Sequence, residues 1–384
     1  MSTSRLEKLQ RHWSFDLPAV KPYYAVKCNP DPKLIGILRE SAFGFDCASQ
    51  RELSMMKTQG HLKDSIVYAN PCKSEYDLEF AKKYGSPLTV VDSCEEIAKL
   101  DELSYGGPAL IRIKVDDTGS TMPFGAKFGA EVRHVEALGE FARRRNVPLR
   151  GISFHVGSQS KDVEAHGKAI RLAIEQCKKL LVNGHRADIV DIGGGFVSNM
   201  NDFTLRSHNI RAAIHEKAAS GIRFIAEPGR FFAKESQDLF VQVIGKKPAT
   251  GGVGWRYTLD ESIYGQFTNI LFDHQKPRWL RISRCGEEKK RAWGKGVLFG
   301  RTCDSLDVIA RSEKMEELEV GDWLWFPHMG AYTTATASEF NGFPKPPVFV
   351  DEENGLPNPD LALMYMSVET IQYITPVDGK AMLL

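Results

Sequence analysis

The sequence is poor in the features that mark the special classes of protein. Its seven cysteines (28, 47, 72, 94, 177, 285 and 303) form no CxxC pair and are odd in number. That speaks against a disulfide framework or a cysteine-built zinc site, and no metal is expected. No run of about 18 apolar residues occurs, so no membrane-spanning helix is expected. The leading residues, MSTSRLEKLQRHWSFD, lack the apolar core of a signal peptide. Neither sign of charge is in excess: 50 Lys and Arg face 49 Asp and Glu, a net charge of +1. This argues against nucleic acid or a membrane surface as a partner. Repeats and low-complexity stretches are also missing. With 42% hydrophobic and 26% charged residues in 384, the chain reads as a globular cytoplasmic protein long enough for two domains.

What is present is a rhythm. Leu6, Leu9 and Trp13 recur at helical spacing and predict a helix over residues 1–15. Eight short apolar runs follow: YYAVKC, FGFDCAS, SIVYAN, LTVVDS, ALIRIKVDD, GISFHVGS, DIVDIGGG and RFIAEPGR. Amphipathic stretches such as DPKLIGILRES and EAHGKAIRLAIEQCKKLLVNG lie between them. Strand–helix alternation implies parallel pairing. Eight such units predict a (β/α)8 barrel over residues 16–236, with a doubly wound sheet as the competing architecture. From residue 237 to 384 the texture becomes mainly β. LFVQVIGKK, GWRYTLD, RWLRISR, GVLFG, GDWLWFP and PVFVDE read as strands, and residues 343–360 as a polar, proline-bearing loop.

The ends of the eight barrel runs are unusually polar. They carry Lys27, Asp46, Asn70, Asp92, Arg112 with Asp116, His155 with Ser158, Gly193-Gly194-Gly195, and Glu227 with Gly229-Arg230. In a barrel these ends gather at one mouth. Each residue has two readings. Lys27 either snorkels into water or forms a Schiff base with a carbonyl cofactor. The triple glycine is a tight turn or a phosphate cradle, with Arg230 able to bind the same phosphate. Glu227 is a buried carboxylate paired with an arginine such as Arg112, or the acid that keeps a pyridine nitrogen protonated. His155 is a satisfied core histidine or a flat ring stacked on a cofactor. Taken together, the second readings describe pyridoxal 5'-phosphate.

The motifs PYYAVKCN, FDCAS, ISFHVGS, DIGGGF, AEPGRFF, CDSLD and GAYTTATASEFNGF, in this order from about residue 16 to 345, resemble the eukaryotic ornithine decarboxylase family. These are pyridoxal-phosphate enzymes of the alanine-racemase-like fold. The resemblance implies a (β/α)8 barrel, a C-terminal β domain and a homodimer with active sites at its interface. It implies Lys27 as the Schiff-base lysine and Asp46 as a carboxylate beside the cofactor. His155 would stack on the ring and Glu227 would bind its nitrogen. Arg112 falls among the cofactor-side residues. Ser158, Gly194, Gly195, Gly229, Arg230 and Tyr332 would hold the phosphate. Cys303, as proton donor, and Asp304, facing the substrate's distal amine, would reach across from the partner subunit. Phe340 would line the substrate pocket, and Lys127 and Asp307 would form an ion pair across the interface.

Two departures from the pattern bear on function. With Tyr264-Gly265 as anchor in LDESIYGQF, Glu261 stands where the ornithine enzymes carry an aspartate, resembling a viral arginine decarboxylase of the family. Arg301 replaces a usual proline near the pocket mouth, either to repel a second ammonium, to bind a second carboxylate, or as a plain surface arginine. The family also begins with a longer leading segment that includes a strand of the β domain. The leading expectation is a lyase: a decarboxylase of L-ornithine or a closely related basic amino acid, giving a polyamine-type amine and carbon dioxide. The alternative is the same chemistry on arginine, lysine or a diaminoacid of specialised metabolism. A non-catalytic homologue like the antizyme inhibitors is a third reading, opposed by the joint retention of Lys27, Glu227, the three glycines, Arg230 and Cys303. A racemase shares the fold but not CDSLD and FNGF. The sequence does not decide whether an antizyme-like regulator binds.

Overall fold

The computed structural model describes residues 1–216, 221–249, 251–282 and 291–351. It divides into two compact units, residues 8–232, and residues 1–7 with the described residues from Ala233 onward.

In the first unit the eight apolar runs become eight parallel strands. These are β1 (Val20–Ala25), β2 (Gly44–Cys47), β3 (Ile66–Tyr68), β4 (Leu88–Val91), β5 (Ala109–Arg112), β7 (Leu149–Ser153), β9 (Ile189–Asp191) and β10 (Arg223–Ala226). They close in the order β1-β10-β9-β7-β5-β4-β3-β2. β6 (Ser120–Met122) and β8 (Ser158–Ser160) form a separate two-stranded antiparallel ribbon. The barrel strands read as continuous apolar runs because both faces are covered. Inside, Tyr23, Val67, Val90, Leu110, Ile189 and Ile225 pack as one cluster.

Helices begin close behind the strand ends, and their caps explain why. Asp31, Ser49, Ser74 and Ser93 each accept backbone N–H bonds in the first turn of the helix that follows. Such caps are worth about 1 kcal/mol apiece. They hold the loops that carry the polar residues to short, defined lengths. Helix α1 (Thr3–Asp16) matches the expected amphipathic helix. Its Trp13 is buried against Phe196, Phe203, Phe231 and Phe232, with ring centroids 4.9–5.7 Å away.

The second unit is built on a six-stranded sheet. Its strands are β11 (Leu239–Pro248), β12 (Trp255–Leu259), β13 (Leu280–Ile282), β14 (Trp293–Phe299), β15 (Val308–Glu316) and β16 (Trp323–Phe326), in the order β13-β16-β11-β12-β14-β15. Val241, Val243, Tyr257, Leu259, Leu298, Leu324 and Phe326 form its core. Two expectations differ from this sheet. β15, in the segment VIARSEKME, was not legible as a strand, because its exposed face carries charge. PVFVDE, by contrast, forms no strand in its described residues and contributes only a bridge from Asp351 to Ser2. Arg5 grips Asp238 through two hydrogen bonds of 3.0 and 2.6 Å. The expected loop beyond residue 351 lies outside the described residues.

Candidate active site

The barrel mouth collects the polar strand ends. Lys27 sits in a single helical turn, Val26–Cys28, directly after β1, with a half-exposed side chain. Its Nζ donates to Asp46 Oδ2 at 2.9 Å, and Asp46 comes from the neighbouring strand β2. Asp46 is buried, and its Oδ1 has no hydrogen-bond partner. Glu227, just past β10, is also buried and leaves Oε1 without a partner. Orphaned buried oxygens are costly and call for an explanation. Behind Glu227 stands Asp191, fully buried at the end of β9. Its Oδ1 accepts from Gly193 N at 2.9 Å, and it shares a hydrogen bond with Glu227. Burial, and then the charges of Asp191 and Asp46, push the Glu227 carboxyl well up. Burial likewise raises Asp191. Two carboxyls sharing a bond in a dry site cannot both ionise, so the pair holds one proton.

His155 follows β7. Its Nδ1 accepts from Gly157 N at 3.0 Å, so the proton sits on Nε2. Burial, then the nearby Arg112 and Lys27, hold this imidazole well below its usual range, and the ring is neutral. Arg112, ending β5, lies over the Phe128 ring at 4.8 Å. Gly193 and Gly195 take φ of +63° and +95°. A Cβ on Gly194 would lie 2.9 Å from both Glu227 O and His155 Nε2. The three glycines therefore allow a backbone approach that side chains would block. Arg230 donates to Ser158 Oγ at 3.3 Å. A Cβ on Gly229 would meet Cys28 Cβ at 2.9 Å, which lets the 227–230 turn close on the end of β1.

Other strand-end residues do structural work. Asp92 accepts from Gly129 N at 2.9 Å, Asp116 from Thr118, and Asn70 from Cys72 N. Lys127 is exposed and lies 5.0 Å from the centre of the Phe128 ring. Asp191 was not singled out from the sequence. Its one signal was an acid two residues before the triple glycine.

In the second unit, Cys303 is exposed and its N–H donates to Asn341 Oδ1 at 3.0 Å. Asp304 accepts from Leu306 N at 2.9 Å and from the Tyr264 hydroxyl, and the two bonds hold its carboxyl below the usual range. The Tyr264 and Phe340 rings lie 4.5 Å apart. Asp307 is 1% exposed. It accepts from Ile263 N at 3.0 Å, Thr302 N at 3.1 Å and Thr302 Oγ1 at 2.6 Å. Asp307 therefore braces the loop that bears Cys303, a role the sequence did not reveal. Glu261 is buried against Gly265 and accepts from the backbone N–H groups of Ser262 and Gln266. Burial raises its carboxyl, and Arg301 opposes that rise. Arg301 donates to Pro344 O at 3.1 Å and lies over the Phe343 ring at 4.5 Å, tying down the turn that carries Phe340. Tyr332 has φ +54° and its carbonyl accepts from Thr336 Oγ1 at 2.9 Å.

A closed parallel barrel with a lysine, orphaned carboxylates, a neutral imidazole and a glycine cradle at one mouth is the apparatus of a cofactor-dependent enzyme. Comparison with known proteins names it. The chain belongs to the pyridoxal-dependent decarboxylases, matching that family's pyridoxal-binding domain over residues 3–234. It is 40% identical to an ornithine decarboxylase of Schizosaccharomyces pombe over 338 residues, 86% of this chain and 78% of that protein. It is 36% identical to an antizyme inhibitor 2 of Xenopus laevis over 86% of this chain and 75% of that one. Among solved structures, the arginine decarboxylase of Paramecium bursaria Chlorella virus superposes with a TM-score of 0.85 at 34% identity, covering 91% of this chain and 94% of that one.

Pyridoxal phosphate is the cofactor, and the residues present fit it. Glu227 Oε1 is an acceptor in want of a donor, as a protonated ring nitrogen would be. The glycine turn, Arg230 and Ser158 suit a phosphate. Lys27 presents a primary amine at the same mouth. No helix among the described residues is long and apolar enough to cross a membrane.

Proposed function

We propose that the protein decarboxylates a basic amino acid, L-ornithine or a close relative, as a cytoplasmic homodimer whose active sites are shared between subunits. The observation that carries this reading is Glu227, buried with one oxygen unspent and hydrogen-bonded to a second acid. The cofactor, when bound, supplies an aldehyde for amines and a ring that takes up the electron pair left when carbon dioxide departs. In this reading Lys27 would be the residue that holds the cofactor through its amine. Glu227, backed by Asp191, keeps the ring nitrogen protonated. His155, a neutral imidazole, would offer its flat face to the ring. Asp46 keeps Lys27 placed, with Arg112 on the same side. Ser158, Gly194, Gly195, Gly229 and Arg230 would take the phosphate. The partner subunit brings a second copy of Cys303 to return the proton, together with Asp304.

The distal end of the substrate sets the choice of amino acid. Asp304, held by the Tyr264 hydroxyl, would take a terminal ammonium beside Phe340. Glu261 is engaged by its own loop, with Arg301 nearby, so its influence is on the shape and charge of that wall. The glutamate favours the arginine alternative, since the viral relative is an arginine decarboxylase. The test is kcat/KM measured by amine product for ornithine, lysine, arginine and diaminopimelate. Preference for ornithine supports the leading reading. A preference of tenfold or more for another amino acid, about 1.4 kcal/mol, replaces it.

A further inference from the structure

The glycine turn after β9 poses a mechanical problem. Neither Gly194 nor Gly195 donates its N–H to a described backbone carbonyl, which suits an anion site. But the peptide joining them has glycine on both sides, and glycine tolerates φ of either sign. Such a peptide is free to flip, and a flip would turn the Gly195 N–H away from the anion and present a carbonyl oxygen instead. Something must hold it.

His166 does. It lies on helix α7 (Ala165–Val182), is fully buried, and stacks on Phe196 with ring centroids 4.6 Å apart. Its Nε2 lies 3.0 Å from the Gly194 carbonyl oxygen. Its Nδ1 lies 3.4 Å from Arg206 Nη1. A guanidinium has donors and no acceptor, so Nδ1 carries the lone pair and the ring proton sits on Nε2, directed at Gly194. Arg206, on helix α8 (Met200–His215), is itself 0% exposed. It is fastened by Asp202 at 3.2 Å and by the carbonyls of Ser160 and Asp162 at 2.8 and 3.1 Å. The C=O and N–H of one trans peptide point in opposite directions. Drawing the Gly194 carbonyl toward α7 therefore aims the Gly195 N–H the other way.

We propose that His166, held by Arg206, is a positioning residue that locks the Gly194–Gly195 peptide with its N–H turned to the cofactor's phosphate. Neither residue touches the cofactor. The inference rests on reading this turn as the phosphate cradle, and the test separates the two ideas by comparing pyridoxal 5'-phosphate with pyridoxal, which lacks the phosphate.

The experiment measures dissociation constants of both compounds for the full-length protein, by their absorbance on binding, together with the 31P resonance of bound pyridoxal phosphate. His166→Phe keeps the ring on Phe196 and removes both hydrogen bonds. It is expected to weaken pyridoxal phosphate roughly tenfold to hundredfold, the worth of one hydrogen bond to a charged group. Pyridoxal affinity should stay within about twofold, and the 31P signal should shift. His166→Gln, whose amide can donate to Gly194 and accept from Arg206, should recover most of the loss. His166→Leu removes the same bonds with less volume and serves if the phenylalanine does not fold. Equal weakening of both compounds in the Phe or Leu variant would make the effect general packing and overturn the lock. Unchanged phosphate affinity would do the same. A wild-type protein that binds pyridoxal as tightly as pyridoxal phosphate would overturn the cradle itself.

Discussion

Glu227→Gln should damage the enzyme and stabilise the empty protein, and the two effects have one cause. The Glu227 carboxyl is buried beside Asp191 and Asp46, and both its burial and those charges push its pKa well above the ordinary 4.5. An acid with a raised folded pKa keeps in the native state a proton that the unfolded chain has released. Its contribution to stability is therefore highest below pH 4.5 and falls as the pH rises through the folded value. Each unit of such a shift costs about 1.4 kcal/mol. Glutamine keeps the shape and removes the titration. Without cofactor, the variant should melt above the wild type at pH 8, by about 2–4 °C per kcal/mol in a unit of this size. The gap should close as the pH approaches 4.5. With cofactor the amide cannot hold the ring nitrogen protonated, and kcat should fall about 10²–10³-fold, the usual worth of such a preorganised group. The assays are calorimetry of the cofactor-free protein from pH 5 to 8 and steady-state amine release. A variant that keeps more than about a tenth of the rate, or that melts below the wild type at pH 8, refutes the reasoning.

Lys27→Ala should lose the visible absorbance band of the bound cofactor and nearly all turnover, because Lys114, the lysine two residues past β5, pairs with Glu131 instead; an intact band would reject its assignment. Mixing Lys27→Ala with Cys303→Ala and allowing subunits to exchange should restore about a quarter of wild-type activity. In a twofold dimer, half the molecules are then mixed, and each carries one site free of both changes; verified exchange without rescue would reject the shared site. Asp307→Ala should lower stability to urea by about 2–4 kcal/mol, since it strands the buried Ile263 N–H and the half-buried N–H and hydroxyl of Thr302. If only dimer affinity fell, matching the effect of Lys127→Ala, Asp307 would be an interface residue and not the brace of its own loop.

The barrel was legible because parallel strands covered on both faces must be apolar throughout, and because turn and cap residues punctuate them. DIVDIGGG and RFIAEPGR announce both a strand and what stands at its end. β15 was not legible, because an antiparallel strand with a wet face admits Arg311 and Glu313, and a register shift beside them exposes Lys314 as well. The candidate cofactor-side residues were legible as strand-end positions, and the structure brings Lys27 and Asp46 together there. Their supports were not. Asp191 meets Glu227, and His166 meets Gly194, only because β9 pairs with β10 and α7 packs beside the turn. Glu261 was noticed for its extra methylene, but its hold on Ser262 and Gln266 depends on a loop fold that spacing does not predict.

The central claim is that this site removes carbon dioxide from a basic amino acid. It is tested most directly by incubating the cofactor-loaded protein with carboxyl-labelled L-ornithine, lysine and arginine in deuterated water. The account predicts labelled carbon dioxide and amine in equal amounts from at least one of them, with one deuterium at the former α-carbon. Exchange of the α-hydrogen without gas would make the protein a racemase, and a bound cofactor that turns over none of the three would contradict the account outright.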